Sequence, residues 1–248
     1  AVTDLHKIDI SGVEMALLAQ RAEDNFVGVQ CGIMDQYISR LGKKDHALLI
    51  DCRTNDYELV PFENEDYKIV ICNSNVERGL VDSEYNQRRE ECNKAVEFIN
   101  SKLDKEVKAL RDVSLAELEQ FKGKLEENVY KRAHHVVSEN KRVIESQKAL
   151  ERNDMQRFGE LMYASHKSLS EDYEVSSKEL DLLVKIAEKE GTEGARMTGA
   201  GFGGCTVNLV KTDKVEEFSE NLKKAYLEES GLEAEIYISN PAEGAQKL

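Results

Sequence analysis

The chain has 248 residues, with 34 Lys and Arg against 48 Asp and Glu, for a formal net charge of −14. That length buries a substantial core in one large domain or two small ones. So acidic a surface repels nucleic acid and anionic membrane, and no run of about 18 apolar residues offers a membrane span. The five cysteines form no CxxC pair and the five histidines no HExxH or HxH pattern. The expected reading is reduced, buried thiols in a cytoplasmic protein, with no metal site built from cysteine or histidine. A basic segment followed by an apolar one, the mark of a secretory signal, is not visible at the start.

Ser11 and Glu14 fit a capping box, so a helix is expected from there to about Asp24, with Val13, Leu17 and Leu18 on one side. "GIMDQYISRLG" reads as a short helix stopped by Gly42. "HALLID" and "YELVPF" are strand-like runs separated by polar turn residues, a plausible hairpin. "YKIVICN" is an apolar run of strand length. From Ser83 a 3.6-residue period predicts helices over 83–100, 114–122, 126–151, 154–170 and 176–190, with capping boxes at Ser114/Glu117 and Ser176/Glu179. "GARMT" and "CTVNLV" are strands around a glycine-rich loop. An amphipathic helix ending at Gly231 and the strand "EAEIYIS" follow. The resulting order is βαββαβ, ferredoxin-like, with extra helices in the first crossover. The fold class is therefore α+β. The domain reading is 1–65, the remainder of a mixed α/β domain, and 66–248, the ferredoxin-like unit, joined near 62–67.

Two stretches carry chemistry. Gly199, Ala200, Gly201, Gly203 and Gly204 precede a strand, where glycine allows φ > 0 and close approach of a ligand. A run of free N–H groups in such a loop makes an anion nest, for which phosphate is the usual guest. The spacing matches neither the P-loop nor the dinucleotide fingerprint, and a loop that only packs against another part of the protein would look the same. In "CGIMDQ", Asp35 falls in the first turn of a helix, where the macrodipole stabilises a carboxylate. Glu23 closes the preceding helix against that preference, which suggests a cationic partner.

Three segments together resemble the galactokinase family. "NFVGVQCGIMDQYISRLGKKDHALLIDCR" is similar to the segment carrying the family's catalytic aspartate. "NSNVERGLVDSEYNQRREEC" resembles its sugar-contacting segment. "GARMTGAGFGGCTVNLV" resembles the third signature of the wider superfamily of galactokinase, homoserine kinase, mevalonate kinase and phosphomevalonate kinase. The likeness spans Glu14 to Gly244. It implies transfer of the γ-phosphate of ATP to the 1-hydroxyl of α-D-galactose, with ATP and Mg²⁺ as cofactors. By position, it implies that Asp35 is the base or electrostatic stabiliser beside that hydroxyl and that Glu23 is associated with Mg²⁺. Gly32 and Tyr85 would meet the sugar, and Gly199, Ala200, Gly201 and Gly203 would face the phosphates. Gly201→Val is then expected to harm catalysis more than domain stability.

The family's N-terminal Gly-Glu-His-x-Asp-Tyr segment and its Gly-Leu-(Ser)₃-Ala phosphate loop do not occur here. The family order puts both before Ala1, so the chain resembles the C-terminal two-thirds of a galactokinase, a proteolytic or designed truncation rather than a natural short homologue. Expectations follow: no activity from this chain alone, a monomeric parent, and association through apolar surface left bare around 10–62. The alternatives are a related sugar kinase, such as one for N-acetylgalactosamine, and a non-catalytic galactose sensor. A sensor has no need of Asp35 and Glu23.

Overall fold

The computed structural model describes residues 2–27, 31–76 and 81–246; the side chains of Val2, Asp4, Val81, Asp82, Ser83 and Tyr85 lie outside that description. The chain divides into two compact units, residues 1–64 with 150–153 and 240–248, and residues 65–149 with 154–239.

In the first unit a short helix, α1 (Val2–Leu5), precedes α2 (Gly12–Ala22). The α2 start is the predicted box. Ser11 Oγ accepts from the Glu14 N–H, and the Glu14 carboxylate accepts from the Ser11 N–H, satisfying two of the donors a helix start leaves open. The helix does not stop there. It widens into one π turn, Glu23–Val27, before α3 (Met34–Leu41). Gly42 ends α3 in an extended conformation, φ −54° and ψ 142°, rather than a left-handed one. Strands β1 (His46–Asp51) and β2 (Asp56–Pro61) form the predicted hairpin, pairing Ala47 with Val60 and Leu49 with Glu58.

Ala16, Ile33 and Tyr37 make the core of this unit, lined by Val13, Leu17, Leu41, Leu48 and Ile50. Tyr37 is fully buried, so its hydroxyl needs a partner; it donates to the Asn55 carbonyl in the hairpin turn at 2.9 Å. Burial pushes the phenol's pKa up. The 240–246 stretch returns to α3, with the Ala245 N–H donating to Ser39 O at 2.7 Å and the Gly244 N–H to Gly42 O at 2.8 Å. Leu5, Ile8, Leu18, Phe26, Val27, Met34 and Ile38 are exposed on this unit, Phe26 at 92%.

The second unit is built on a four-stranded antiparallel sheet in the order β4 (Gly194–Thr198), β5 (Cys205–Lys211), β3 (Tyr67–Asn73), β6 (Glu235–Ser239). Ile71 pairs with Val207 on one side and Tyr237 on the other. This is the strand order a ferredoxin-like βαββαβ chain adopts. The insertion between its first two strands holds α4 (Val81–Asn100), α5 (Leu115–Glu119), α6 (Glu127–Glu151), α7 (Met155–Glu171) and α8 (Lys178–Lys189).

Helices α8 and α9 (Val215–Ser230) cover the sheet with Leu183, Ala187, Phe218, Leu222 and Tyr226 against Val70, Cys72, Ala195 and Val210. Fully burying each larger side chain stabilises the fold by roughly 1.5–3 kcal/mol. Gly231 closes α9 at φ +75°, the predicted left-handed stop. A second core joins α4 to α6 through Ala95, Ile99, Leu118, Phe121 and Ala133. The Ser114/Glu117 box forms as expected, but the next helix is capped one residue later than expected. Ser177 has the extended cap conformation, and its Oγ accepts from the Leu180 N–H, whereas Ser176 Oγ is buried.

Candidate functional site

The first unit gathers its polar groups where the π turn meets the start of α3. Glu23 Oε2 accepts from the Cys31 thiol at 2.7 Å and from Gln36 Nε2 at 2.8 Å. Asp24 Oδ1 accepts from the Cys31 N–H at 3.2 Å, and Gln20 Nε2 donates to the Cys31 carbonyl at 3.1 Å. The carboxylate beside it holds the Cys31 thiol's pKa above the usual value, so the thiol keeps its proton and serves as a donor. The Glu23 oxygen that faces these groups therefore meets neutral donors. What the pair does locally is brace the 31–36 stretch.

That stretch presents two expected site residues. Gly32 is exposed, and a Cβ built on it would have nothing within 4 Å. No packing demand among the described residues explains a glycine there. Asp35 is the second residue of α3 and exposed, with no hydrogen bond or ion pair on its carboxylate among the described residues. It sits in the positive field of the α3 N-terminus. An unpaired carboxylate held at a rigid helix start can accept a proton from a ligand hydroxyl.

In the second unit the glycine loop joins β4 to β5. Gly199, Gly201, Phe202, Gly203 and Gly204 all have positive φ, at 82°, 90°, 58°, 130° and 89°. The loop is pinned at two points. The Phe202 N–H donates to Val175 O at 2.7 Å, and Gly204 O accepts from the Ser74 N–H at 2.9 Å and from Ser74 Oγ at 2.8 Å. Ser74 is held in turn by the buried Tyr226 hydroxyl, which donates to its carbonyl at 2.9 Å. Among the described residues, the N–H groups of Gly199, Ala200, Gly201, Gly203 and Gly204 have no protein acceptor. A run of free amides in left-handed backbone is the geometry of an anion nest.

Packing accounts for part of the glycine content as well. A Cβ on Gly201 would stand 2.1 Å from Val175 O, and one on Gly203 3.1 Å from Val76 O. This corrects the expectation for Gly201→Val: the position is closed by backbone of the same unit, so a side chain there costs stability directly. Arg196, leading into the loop, is not free for an anion. Its Nη1 lies 3.5 Å from Glu139 Oε1 and its Nε donates to Met197 O at 3.0 Å. Tyr85 lies in α4, but its side chain, like residues 77–80 of the segment before it, falls outside the described residues.

Sequence reading missed the groups behind the loop. Arg132 is 2% exposed; its Nε donates to Glu91 at 2.8 Å, its Nη2 to the Glu174 carboxylate at 2.8 Å, and its Nη1 to Asp172 O. Arg88 donates to Tyr173 O at 2.8 Å and Glu174 O at 2.9 Å, and its guanidinium lies 5.9 Å from the Phe202 ring centroid. The only sequence signal for this was charge at helical spacing in α4. The match between residues 88 and 173 is set by tertiary packing. Buried His166 accepts the Met197 N–H at Nδ1, 3.2 Å away, which puts its proton on Nε2, 3.2 Å from Asp181. His135 packs its ring on Tyr173, with Nδ1 3.0 Å from Ser168 Oγ; burial pushes its pKa down to about 4.

Among the described residues, no three His, Cys, Asp or Glu side chains gather as a metal site, and no helix is long and apolar enough to cross a membrane. Residues 146–228 match the family described as GHMP kinases C terminal. A galactokinase from Fusobacterium nucleatum is 47% identical over 247 residues, which is 99% of this chain and 63% of that protein. One from Clostridium acetobutylicum is also 47% identical, over all of this chain and 64% of that protein. A Lactococcus lactis galactokinase structure, complexed with galactose, superposes with a TM-score of 0.93 at 40% identity, covering all of this chain and 64% of that one. An L. major mevalonate kinase at 19% identity and TM-score 0.61, covering 98% of this chain and 63% of that one, shares the fold. The chain thus spans a little under two-thirds of the length of the relatives it matches.

Proposed function

We propose that this chain, of which residues 146–228 match the GHMP kinases C terminal family, carries part of the machinery of a galactokinase, which transfers the γ-phosphate of ATP to the 1-hydroxyl of α-D-galactose. The observation that carries the reading is 47% identity to a galactokinase over 247 residues. The local chemistry agrees with it.

In this reaction the sugar oxygen forms a bond to the γ-phosphorus while the bond to the β-phosphate oxygen breaks, and ADP leaves. The Asp35 carboxylate takes the hydroxyl proton or stabilises the attacking oxygen. Its exposure and lack of a protein partner leave it available for that contact. General-base assistance of this kind contributes about 10²–10⁴ in rate. The amides of Gly199, Ala200, Gly201 and Gly203 offer fixed donors for charge on the phosphate oxygens, the kind of preorganised stabilisation on which phosphoryl transfer relies. Gly32, with open space where a side chain would be, lets backbone approach the sugar. Tyr85 supplies a further sugar contact.

ATP supplies the phosphoryl group. Magnesium ions bridge and neutralise phosphates in this class of reaction, held by one or two carboxylates together with phosphate oxygens and water. On this chain Glu23, whose Oε2 accepts from Cys31 and Gln36, would be the carboxylate that contributes to such a site.

The test is a sugar panel. A kinase containing this chain is assayed with ATP and galactose, N-acetylgalactosamine or mevalonate. Galactose-dependent ADP release with the highest kcat/KM supports the proposal; a preference for another acceptor overturns it.

A further inference from the structure

The glycine loop does not hold its own shape. Among the described residues, Phe202 is the one member of the loop, 199–204, that donates a backbone hydrogen bond to the rest of the unit, and the acceptor is Val175 O. Val175 ends a turn of unusual construction. Glu174 has φ +54°, a conformation a non-glycine residue keeps only when its surroundings impose it. The end of α7 closes the turn with backbone bonds, Tyr173 N–H to Ser168 O at 2.9 Å and Val175 N–H to Leu169 O at 3.0 Å, and two buried arginines add to that hold. Arg88 grips the Tyr173 and Glu174 carbonyls. Arg132 grips the Asp172 carbonyl and the Glu174 carboxylate. Both guanidiniums share Glu91, whose Oε2 is 2.8 Å from Arg132 Nε and 4.0 Å from Arg88 Nη1.

We propose that Arg88 and Arg132 are positioning residues for the 199–204 loop: they fix the 172–175 turn, and through the Val175 carbonyl they set where the loop's free amides point. The chain of contacts is continuous. Each arginine spends donors on turn carbonyls, in a fixed fork that a lysine cannot reproduce. The last carbonyl of that turn receives the Phe202 N–H, and the Arg88 guanidinium also covers the Phe202 ring. Two charges this deeply buried are costly unless their donors are used. Here donors of both arginines are used on the turn that holds the loop at Phe202, and others on Glu84 and Glu91. The consequence for phosphate transfer rests on the function proposed above; the positioning itself does not.

The experiment uses the ¹⁵N-labelled chain and three variants, Arg88→Met, Arg88→Lys and Arg132→Met, read by amide shifts and hydrogen exchange without nucleotide. In Arg88→Met the Phe202 amide is expected to exchange about tenfold faster, the factor given by loss of one backbone hydrogen bond. The resonances of residues 199–204 move, and amides in the middle of α9 keep their protection. Arg88→Lys does not restore the loop, because one ammonium cannot span both carbonyls. Arg132→Met strips a partner from buried Glu91; if it does not fold, Arg88→Met, which leaves the Arg132 contacts in place, still decides between the outcomes. A folded Arg88→Met whose loop amides superimpose on wild type overturns the proposal. If the loop amides move but a kinase containing Arg88→Met keeps its kcat and its KM for ATP, positioning stands and the phosphate role of the loop falls.

Discussion

Replacing Gly201 by alanine separates two reasons for a glycine. At φ +90° the first cost is backbone strain, roughly 1–2 kcal/mol for an L-residue in left-handed conformation. The second is contact. The new Cβ would stand 2.1 Å from Val175 O, so the loop must lift off the turn and lose the Phe202 bond, worth about 0.5–1.5 kcal/mol. A stiffer unfolded chain returns about 0.5 kcal/mol, leaving a net loss near 2 kcal/mol. For a unit of this size that lowers Tm by about 4–8 °C. Gly123 provides the control. It has φ +73° with nothing within 4 Å of its Cβ, so Gly123→Ala carries the strain without the collision. The assay is thermal unfolding of both variants by circular dichroism, with exchange of the Phe202 amide as a local probe. Equal melting of the two, with Phe202 still protected in Gly201→Ala, would refute the close approach to Val175.

Asp35→Asn should leave Tm nearly unchanged, since helix-dipole stabilisation by one exposed carboxylate is about 0.3–1 kcal/mol; kcat of a kinase containing the chain should fall about 10²–10⁴-fold, or roughly 3–5 kcal/mol of barrier. Turnover within a few-fold of wild type removes Asp35 from the mechanism. Tyr85→Phe should raise the galactose KM with little change in the ATP KM; an unchanged galactose KM sinks that contact. His135 is held neutral, with a folded pKa of about 4 against 6.5 unfolded. Its depressed pKa makes stability complete above about pH 6.5 and lets it decline as pH falls toward 4, by at most about 3 kcal/mol. Urea titrations at several pH values should show that decline in wild type and a flatter profile in His135→Gln; identical slopes would remove His135 as its source.

Local signals read true where the residues that decide a feature are neighbours in sequence. Ser11/Glu14 and Ser114/Glu117 form their boxes because a serine three residues before a glutamate contains the whole device. The same rule slipped by one at 176–177, where two adjacent serines can each cap and tertiary burial of Ser176 selects the second. The βαββαβ order gave the β4-β5-β3-β6 sheet because the topology admits few other antiparallel arrangements. The π turn at 23–27 was illegible, since its extra residue answers to the Cys31 and Gln36 contacts rather than to local propensity. So was the crossing of α7 over β4, where a Cβ on Gly159 would lie 1.9 Å from Glu193 O. The glycine loop announced itself, but not the reason for Gly201, which lies in a turn at Val175. Nor did the sequence announce that Glu23 braces the neutral Cys31 and Gln36 donors, since those contacts come from packing across the π turn.

The most direct test joins this chain to the segment of the Fusobacterium nucleatum galactokinase that it does not cover, and measures galactose-dependent ADP release by the chimera and by its Asp35→Asn variant. The expected result is turnover on the order of 1–100 s⁻¹, as for kinases generally, lost by a factor of at least about 10² in the variant while its fold is retained. A chimera that turns over galactose equally well with Asn at position 35 would contradict the account at its centre.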